Sequence, residues 1–194
     1  DRLGCDGKML EILKKAGFKT VKTTPAIVQI KTETDIVKQL KGVKTYANAT
    51  LLAAGKRIRE DFGEVLFTDY GLSGPPILQI SRGVSFAKSQ CEVSLDIMPE
   101  TDYITLEEKL KVRVRELSHR NLDEFFTGML QKRIGQVLLK TIGCRLSDKT
   151  ETLDTQKIKK LANLMKNWKF SVLGTMGFLN SQVTAGGLST DEFF

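Results

Sequence analysis

Apolar and polar residues alternate in several stretches of the first hundred positions. In residues 91–97 every second side chain is apolar, which is the period of a half-buried β-strand. Residues 43–53 and 58–67 predict two further strands, because their apolar and β-branched side chains are bounded by turn-forming residues. These turns are expected at 54–56 and at 61–63.

The beginning of the chain predicts a short helix and one more strand. Apolar residues recur at helical spacing over residues 7–16, and Gly17 is the residue type that commonly ends a helix. The apolar residues at 27–30 predict a strand, and a polar stretch follows at 31–35. Together with the later strands, these elements predict a meander with tight connections.

Helical spacing appears after residue 73 and dominates after residue 99. Ser73 is a candidate N-cap for a helix that extends to Ser81, and the prolines behind it suit a first helical turn. Thr105 is a candidate N-cap for a second helix, because acidic residues occupy its first turn. The apolar stripe of that second helix consists of Leu106, Leu110, Val114 and Leu117.

Two more helices and two strands are predicted in the last third of the chain. One apolar stripe covers residues 130–142 and can end at Gly143, and another covers residues 158–165, with an N-cap at Asp154 or Thr155. Extended runs are expected at 168–173 and 178–183.

The order of these elements is strands, then helices, then strands. It predicts an α+β fold with a β subdomain at about 17–98, a small helical bundle inserted at about 100–166, and final strands that rejoin the β part. Strands and helices do not alternate as they do in βαβ folds. The chain has 194 residues, of which 41% are hydrophobic, enough for one large domain or two small ones.

Composition and cysteine spacing indicate the cellular compartment. No apolar run is long enough to cross a bilayer, and the sequence has no segment typical of a signal peptide. The three cysteines, Cys5, Cys91 and Cys144, are far apart in sequence, which argues against a disulfide framework or a zinc site. A cytoplasmic protein without a membrane partner is therefore expected.

The positive charge is concentrated in one segment. Residues 131–170 contain ten basic and three acidic residues, a difference of seven that equals the formal net charge of +7. Such a segment can attract nucleic acid or another anion, or it can be a pair of exposed lysine-rich helices. The exposed helix pair is favoured, because Trp168 and Phe170 are the only aromatic residues available there for base stacking.

Two glycine-rich motifs are the main candidates for chemistry. In Gly71-Leu72-Ser73-Gly74-Pro75 a serine between glycines precedes a predicted helix, an arrangement that can bind an anion or simply make a strand-to-helix turn. The turn is favoured, since no lysine follows as in a Walker loop, and the spacing differs from that of a nucleophile elbow.

The second motif is Thr184-Ala185-Gly186-Gly187. Adjacent glycines allow a ligand or another backbone to approach closely, or they turn the chain, and the motif alone does not separate these functions. Asp6-Gly7 can face a phosphate or cap the first helix. The single histidine, His119, is interpreted as a solvent-exposed helix end. The sequence contains no Gly-x-Gly-x-x-Gly, metal-ligand cluster or nucleophile–base pair, so no catalytic or metal residue is assigned.

Residues 63–81 resemble a signature of the YhiN/BaiN-type NAD(P)/FAD-dependent oxidoreductases, whose relatives include aminoacetone-oxidase-like flavoproteins. The segment that carries this resemblance begins Gly63-Glu64-Val65-Leu66-Phe67-Thr68-Asp69-Tyr70-Gly71-Leu72-Ser73-Gly74-Pro75. The later Gln182-Val183-Thr184-Ala185-Gly186-Gly187-Leu188 is similar to a second motif of the family, and residues 4–18 are similar to a third. The motifs occur in the family's order and span nearly the whole chain.

The resemblance implies an architecture in which a Rossmann-like FAD domain is split by a β-barrel-like insert that carries a helical part. Residues 1–20 would then be a residual segment of the FAD domain, and 184–194 the start of the return to it. The β-barrel-like subdomain would comprise 21–99, with returning strands at 167–183, and the helical subdomain would comprise 100–166. The chain, which begins with Asp1 rather than Met, would be an internal piece of an enzyme and inactive alone.

The resemblance also implies residue roles. Thr184, Ala185, Gly186 and Gly187 would lie near the FAD of the intact enzyme, whose missing FAD-binding portions would be the partners of this chain. A set within residues 68–74 would face a small-molecule substrate, with NAD(P)H as a further partner of the whole enzyme: Thr68, Asp69, Tyr70, Gly71, Ser73 and Gly74. Many family members have His where this chain has Asp69, so the substrate does not transfer by resemblance.

Two functional hypotheses follow. The first is the substrate-side insert, or cap, of a flavin-dependent oxidoreductase, in which the cofactor performs the redox chemistry. The alternative is a nucleic-acid-binding module made of a β-barrel with a basic helical arm, motivated by residues 131–170. Nucleic acid is the less favoured partner, for want of aromatic residues in that segment.

Overall fold

The computed structural model describes residues 6–87 and 89–192. This part of the chain contains eight strands and six α-helices. In chain order they are α1 (Lys8–Lys15), β1 (Thr20–Ala26), β2 (Ile30–Thr32), α2 (Thr34–Gln39), β3 (Lys44–Ala53), β4 (Lys56–Phe67), β5 (Gly71–Ser73), α3 (Pro75–Phe86), β6 (Cys91–Asp96), α4 (Tyr103–Glu116), α5 (Lys132–Thr141), α6 (Thr155–Lys166), β7 (Trp168–Thr175) and β8 (Val183–Leu188).

Six of the strands form a closed antiparallel barrel. Their order around the barrel is β2-β5-β4-β3-β6-β7, and β7 pairs with β2 to complete the circle. Helices α4, α5 and α6 occur between β6 and β7, two neighbouring strands. The prediction of an α+β fold with a barrel-like part and a helical part inserted into it is therefore confirmed.

The barrel interior follows the two-residue period of the strands. In β3, Ala47, Ala49 and Leu51 are buried, whereas the residues between them are at least partly exposed. An aromatic cluster fills one region of the interior: the ring centroid of Phe67 lies 5.8 Å from that of Trp168 and 6.0 Å from that of Phe170. These residues come from β4 and β7, so the cluster joins strands that precede and follow the three inserted helices.

The helical part forms around the predicted apolar stripes. Leu106 and Leu110 of α4 are buried against a core to which α5 and α6 also contribute. Asp154 caps α6, since its carboxylate accepts a hydrogen bond of 2.8 Å from the backbone N–H of Lys157, as the sequence indicated. The expected cap of α4 was wrong: Asp102 is the N-cap, and Thr105 lies inside the helix.

A lysine connects the helical part to the barrel. Lys166, at the end of α6, forms an ion pair of 2.6 Å with Asp96, at the end of β6. The same ammonium group donates hydrogen bonds to the carbonyl oxygens of Met98 at 3.0 Å and Thr101 at 2.8 Å. Lys166 therefore fixes the segment that leaves the barrel beside the segment that returns to it.

The two remaining strands, β1 and β8, form a separate antiparallel sheet. Helix α3 holds this sheet near the barrel, because the Ser85 hydroxyl donates a hydrogen bond of 3.1 Å to the carbonyl oxygen of Pro25. The Ser81 hydroxyl accepts one of 3.2 Å from the N–H of Val28. By contrast, α1 has no buried residue.

One turn prediction and one N-cap prediction within residues 61–74 were wrong. Residues 61–63 do not turn but continue β4, because they pair with the neighbouring strand β3. Ser73 ends β5 and makes no capping hydrogen bond, and Gly74 occupies the N-cap position of α3 with a φ of 99°. The side chain at Gly74 would meet the carbonyl of Glu64, so the space that a capping serine would need is already filled.

Three boundaries also differ from the predicted ones. The strand predicted at 27–30 begins only at Ile30, and the polar stretch at 31–35 contains the end of β2 and the start of α2. The extended run expected at 178–183 is a 3-10 turn at Phe178–Asn180, followed by β8 from Val183. The second glycine motif is therefore part of a strand.

Candidate functional site

A cleft lies between α1 and the two-stranded β1–β8 sheet. Its volume is about 650 Å³. The lining combines the start and apolar face of α1 with the backbone of the second glycine motif, and consists of Asp6, Gly7, Met9, Leu10, Leu13, Thr23, Phe178, Thr184, Gly186 and Gly187. Residues from the two ends of the sequence thus share one surface.

The two adjacent glycines in the cleft have different roles. Gly186 has a φ of 88°, and a side chain there would collide with the backbone carbonyl of Lys22 on β1. Gly187 has a φ of 126°, but a side chain there would meet nothing within 4 Å. Gly186 is therefore required for strand pairing, whereas Gly187 leaves open space beside the backbone.

The wall opposite the glycines is apolar. Met9, Leu10 and Leu13 belong to the face of α1 that lines the cleft, and Met9 is 67% exposed. Asp6 lies at the helix start, where its carboxylate accepts a hydrogen bond of 3.1 Å from the Lys8 N–H and pairs with the Lys8 ammonium at 2.8 Å. The Lys8 side-chain hydrogen bond is the main reason that the pKa of Asp6 is lowered.

The predicted cofactor residues fall mainly in this cleft. Thr184, Gly186 and Gly187 line it, whereas Ala185 is half-buried, does not belong to the lining and faces Thr24 of β1. The sequence did not single out Thr23 or Phe178, which also line the cleft. The place of Thr23 in the cleft depends on the pairing of β1 with β8, which local sequence spacing does not reveal.

The first glycine motif directly follows the tight connection between β4 and β5, residues 68–70. The Thr68 hydroxyl donates a hydrogen bond of 2.9 Å to the Gly71 carbonyl oxygen and accepts one of 3.1 Å from the Gly71 N–H. A side chain at Gly71 would collide with the backbone of β2, 2.7 Å from the N–H nitrogen of Thr32. The motif thus has a structural function in closing the barrel.

Asp69 and Tyr70 lie at the tip of this connection. The Asp69 carboxylate pairs with the exposed ammonium group of Lys41 at 2.6 Å, and this hydrogen bond is the main cause of the lowered pKa of Asp69. The Tyr70 carbonyl oxygen accepts a hydrogen bond of 3.1 Å from the N–H of Thr32. None of the residues from 68 to 74 lines the cleft beside α1.

Other candidate groups were also located. Cys91 and Cys144 are buried free cysteines, and burial raises the pKa of both thiols, whereas Cys5 lies outside the described residues. His119 is exposed. Among residues 6–87 and 89–192, no cluster of three or more His, Cys, Asp or Glu side chains has metal-binding geometry. In the same residues no helix is long and apolar enough to span a membrane.

A protein-family model described as the HI0933-like protein barrel and H2TH domain matches residues 24–183. This match covers the closed barrel and all of α4, α5 and α6. The chain belongs to the HI0933-like family. The resemblance proposed from the glycine motifs is therefore confirmed.

Curated relatives have two kinds of names. The chain is 28% identical, over 195 aligned positions, to a 3-dehydro-bile acid delta(4,6)-reductase of Clostridium scindens, and the match covers 99% of this chain and 48% of the relative. It is 26% identical to ribosomal RNA dihydrouridine synthases of Haemophilus influenzae and Escherichia coli. These matches cover 81% and 98% of this chain, and 37% and 46% of the relatives. The chain thus spans about half the length, or less, of these relatives.

Proposed function

We propose that this chain is the barrel-and-helix part of a flavin-dependent oxidoreductase and that the cleft beside α1 contacts the flavin. The observation that carries the proposal is the convergence of Thr184, Gly186 and Gly187 with the start of α1 on one open cleft. These segments are far apart in sequence, and both belong to motifs that resemble those of flavoproteins.

The cleft has the surface that a flat, amphipathic cofactor requires. Backbone near Gly187 is open to close approach, and Met9, Leu10, Leu13 and Phe178 supply apolar contacts. Bound FAD would supply the electron-pair transfer. The part played by this chain would be to orient the cofactor through the backbone of β8 and to exclude water with the apolar face of α1.

The missing part of the protein would cover the same end of the molecule. Exposed apolar side chains are concentrated on and beside α1 and the β1–β8 sheet: Met9, Ile12, Val21, Leu179 and Val183. Such a surface is typical of an interface. We propose that the FAD-binding portions of the longer protein dock here, and that the chain alone is inactive for lack of them.

The relatives suggest the class of reaction. A delta(4,6)-reductase and a dihydrouridine synthase both have names that describe hydrogen addition to an unsaturated ring. We infer the same class for the whole enzyme, with reduced NAD(P) as the electron source. Asp69 and the surrounding residues 68–74 would contact substrate from the barrel end, where the Asp69 carboxylate is half-exposed.

The test is flavin occupancy of the full-length protein. Gly187→Val should reduce the ratio of flavin to protein at least tenfold, because the new side chain fills the open space in the cleft. Gly174→Val is the matched control: Gly174 has a φ of 135°, also has open space, and does not line the cleft. Absorption spectra after addition of FAD measure the ratio, and thermal melting measures the fold.

If Gly187→Val and Gly174→Val lose flavin equally, backbone strain explains the loss. That result would contradict a role for the cleft in flavin binding. A full-length wild-type protein that takes up no flavin would remove the proposal altogether.

A further inference from the structure

Two short segments connect the barrel to the β1–β8 sheet, and together they form what we call the neck. Residues 27–29 lead from β1 to β2, and residues 176–182 lead from β7 to β8. The two segments run side by side, because β1 pairs with β8 on the sheet side of the neck and β2 pairs with β7 on the barrel side. The neck therefore separates the sheet from the barrel.

Two residues of the neck have a left-handed backbone. Ile27 has a φ of 49° and Gly177 has a φ of 77°. A positive φ is rare for a β-branched residue such as isoleucine, and it persists only where surrounding contacts hold it. Two hydrogen bonds cross the neck beside these residues. The Met176 N–H donates to the Gln29 carbonyl oxygen at 3.0 Å, and the Gln182 N–H donates to the Ile27 carbonyl oxygen at 3.1 Å.

The continuous apolar core of the protein stops at the neck. The first member of this core along the chain is Ile30, and Ile77 and Ile80 of α3 also belong to it. Ala26 and Val28 are buried, but they lie outside this core, as do the described residues of α1 and β8. The barrel and α3 are therefore one packed body, and the β1–β8 sheet is attached to it from outside.

Helix α3 holds the sheet through two serine hydroxyls. Ser81 accepts the hydrogen bond of Val28, and Ser85 donates to Pro25. The Ser81 hydroxyl also donates a hydrogen bond of 2.7 Å to the Leu78 carbonyl oxygen within α3. Serine hydroxyls in helices can donate to a carbonyl three or four residues earlier, and this option is open to Ser85 as well. Both hydroxyls therefore keep a partner in α3 when the sheet moves away.

Two buried oxygen atoms gain nothing from the observed position of the sheet. Thr24 Oγ1 of β1 and Gln29 Oε1 in the neck have no hydrogen-bond partner among the described residues. Buried polar atoms without a partner are uncommon and destabilising. The observed position is therefore less strongly favoured than the packing of the barrel itself.

We propose that the neck is a hinge that bends at Ile27 and Gly177, and that Ser81 and Ser85 stabilise the observed position of the sheet. Hinges are commonly a few residues that absorb changes of φ and ψ between more rigid parts. Here one rigid part is the barrel with α3, and the other is the β1–β8 sheet.

The hinge lies between the two glycine motifs. Phe178, within the neck, lines the α1 cleft together with Gly187 of β8. On the other side, β2 begins directly after the neck and pairs with β5 at Gly71. Bending would therefore change the distance between the α1 cleft and residues 68–74. That this distance separates flavin from substrate rests on the proposed function, whereas the hinge itself does not.

Hydrogen exchange of the full-length protein, followed by mass spectrometry, tests the hinge. In Ser81→Ala/Ser85→Ala, the N–H groups of Met176 and Gln182 should exchange about tenfold faster or more, because bending becomes easier. Neither N–H group bonds to a serine hydroxyl, and a bend at Ile27 turns away the carbonyl that Gln182 needs. Exchange in β3 should stay at the wild-type rate, because the barrel remains folded.

Two variants control for the loss of a hydroxyl. Thr141→Ala/Thr152→Ala removes two hydroxyls that donate to backbone carbonyls in the helical part, at 2.8 Å and 2.7 Å. The neck amides of this variant should exchange as in the wild type. Ser85→Thr keeps a hydroxyl at a half-buried position and should exchange more slowly at the neck than Ser85→Ala.

A distance measurement shows whether the sheet moves as a unit. Spin labels are attached to non-natural amino acids at Lys22 of β1 and Lys56 of β4, which are both exposed. Pulsed electron spin resonance of Ser81→Ala/Ser85→Ala should show a larger second distance population than the wild type. A reference pair at Lys31 and Lys56, both on the barrel, should keep its wild-type distance.

The hinge would be contradicted by unchanged exchange of Met176 and Gln182 in Ser81→Ala/Ser85→Ala, or by an unchanged distance distribution between the sheet and the barrel. Equal acceleration of β3 would indicate general unfolding instead, and equal acceleration in the threonine control would show that the two serines have no special role. Flavin uptake is measured in the same samples. A protein that takes up no flavin would remove the flavin proposal and leave the hinge result standing.

Discussion

Single glycines in this chain differ in what they do, although several share a positive φ. Gly74 and Gly143 both have positive φ, at 99° and 84°. A side chain at Gly74 would collide with the Glu64 carbonyl, whereas one at Gly143 would enter open space. Gly143→Ala should therefore reduce the free energy of unfolding by roughly 1–2 kcal/mol, the cost of left-handed backbone. Gly74→Ala should cost more, because β4 must also shift.

Urea denaturation of the two variants measures this difference. An equal loss of stability would show that the backbone angle alone matters at Gly74. At the residue scale, the sequence revealed the density of glycines around Ser73 but not the reason for it. The reason is contact with strand backbones at Glu64 and Ile30, and such tertiary neighbours are not encoded in local spacing.

Helix ends provide a prediction at the scale of elements. The Asp102 carboxylate accepts hydrogen bonds from the hydroxyl and the N–H of Thr105, and these lower the pKa of Asp102. The folded state therefore favours the ionised carboxylate. Its contribution to stability is complete above the unfolded-state pKa of about 3.9, and is lost as the pH falls through the lower folded-state pKa.

In Asp102→Asn, stability should fall less steeply as the pH is lowered than in the wild type, because asparagine also caps helices but does not titrate. Thermal melting between about pH 5 and pH 2 gives the comparison. Asp35→Asn is the control, since the Asp35 side chain makes no hydrogen bond in the described residues. A wild-type acid slope in Asp102→Asn would contradict the capping role.

Periodicity predicted the long elements well and the short ones poorly. The apolar stripes of α4, α5 and α6 are real, because each is long enough to show several turns. Helix α2 was missed, since it has six residues and buries only Val37. Residues 61–63 contain turn-forming types, but pairing with β3 keeps them extended, and Gly63 allows Pro76 to lie close.

Stability should be uneven across the molecule. The β3 and β4 strands belong to the closed barrel, whereas α1 has no buried residue and β8 pairs, among the described residues, only with β1. In the 194-residue chain alone, amide hydrogens of α1 and β8 should exchange much faster than those of β3. In the full-length protein the same α1 and β8 amides should become protected if other segments cover them.

Hydrogen exchange followed by mass spectrometry distinguishes these states. Equal protection of α1 and β3 in the chain alone would refute the uneven stability. At the scale of the molecule, the sequence predicted the order of strands and helices. It could not predict that Asp6 and Gly187 share a cleft, because this arrangement depends on the pairing of β1 with β8.

The pairing of β6 with β7 has an evolutionary consequence. Leu95 is paired with Trp168, so everything between them is topologically one hairpin loop of the barrel. Closing a longer loop costs little, since the entropic penalty grows only with the logarithm of its length. The length and the charge of the helices can therefore change during evolution without disturbing the barrel strands. The condition is that an ion pair such as that of Asp96 with Lys166 holds the base of the loop.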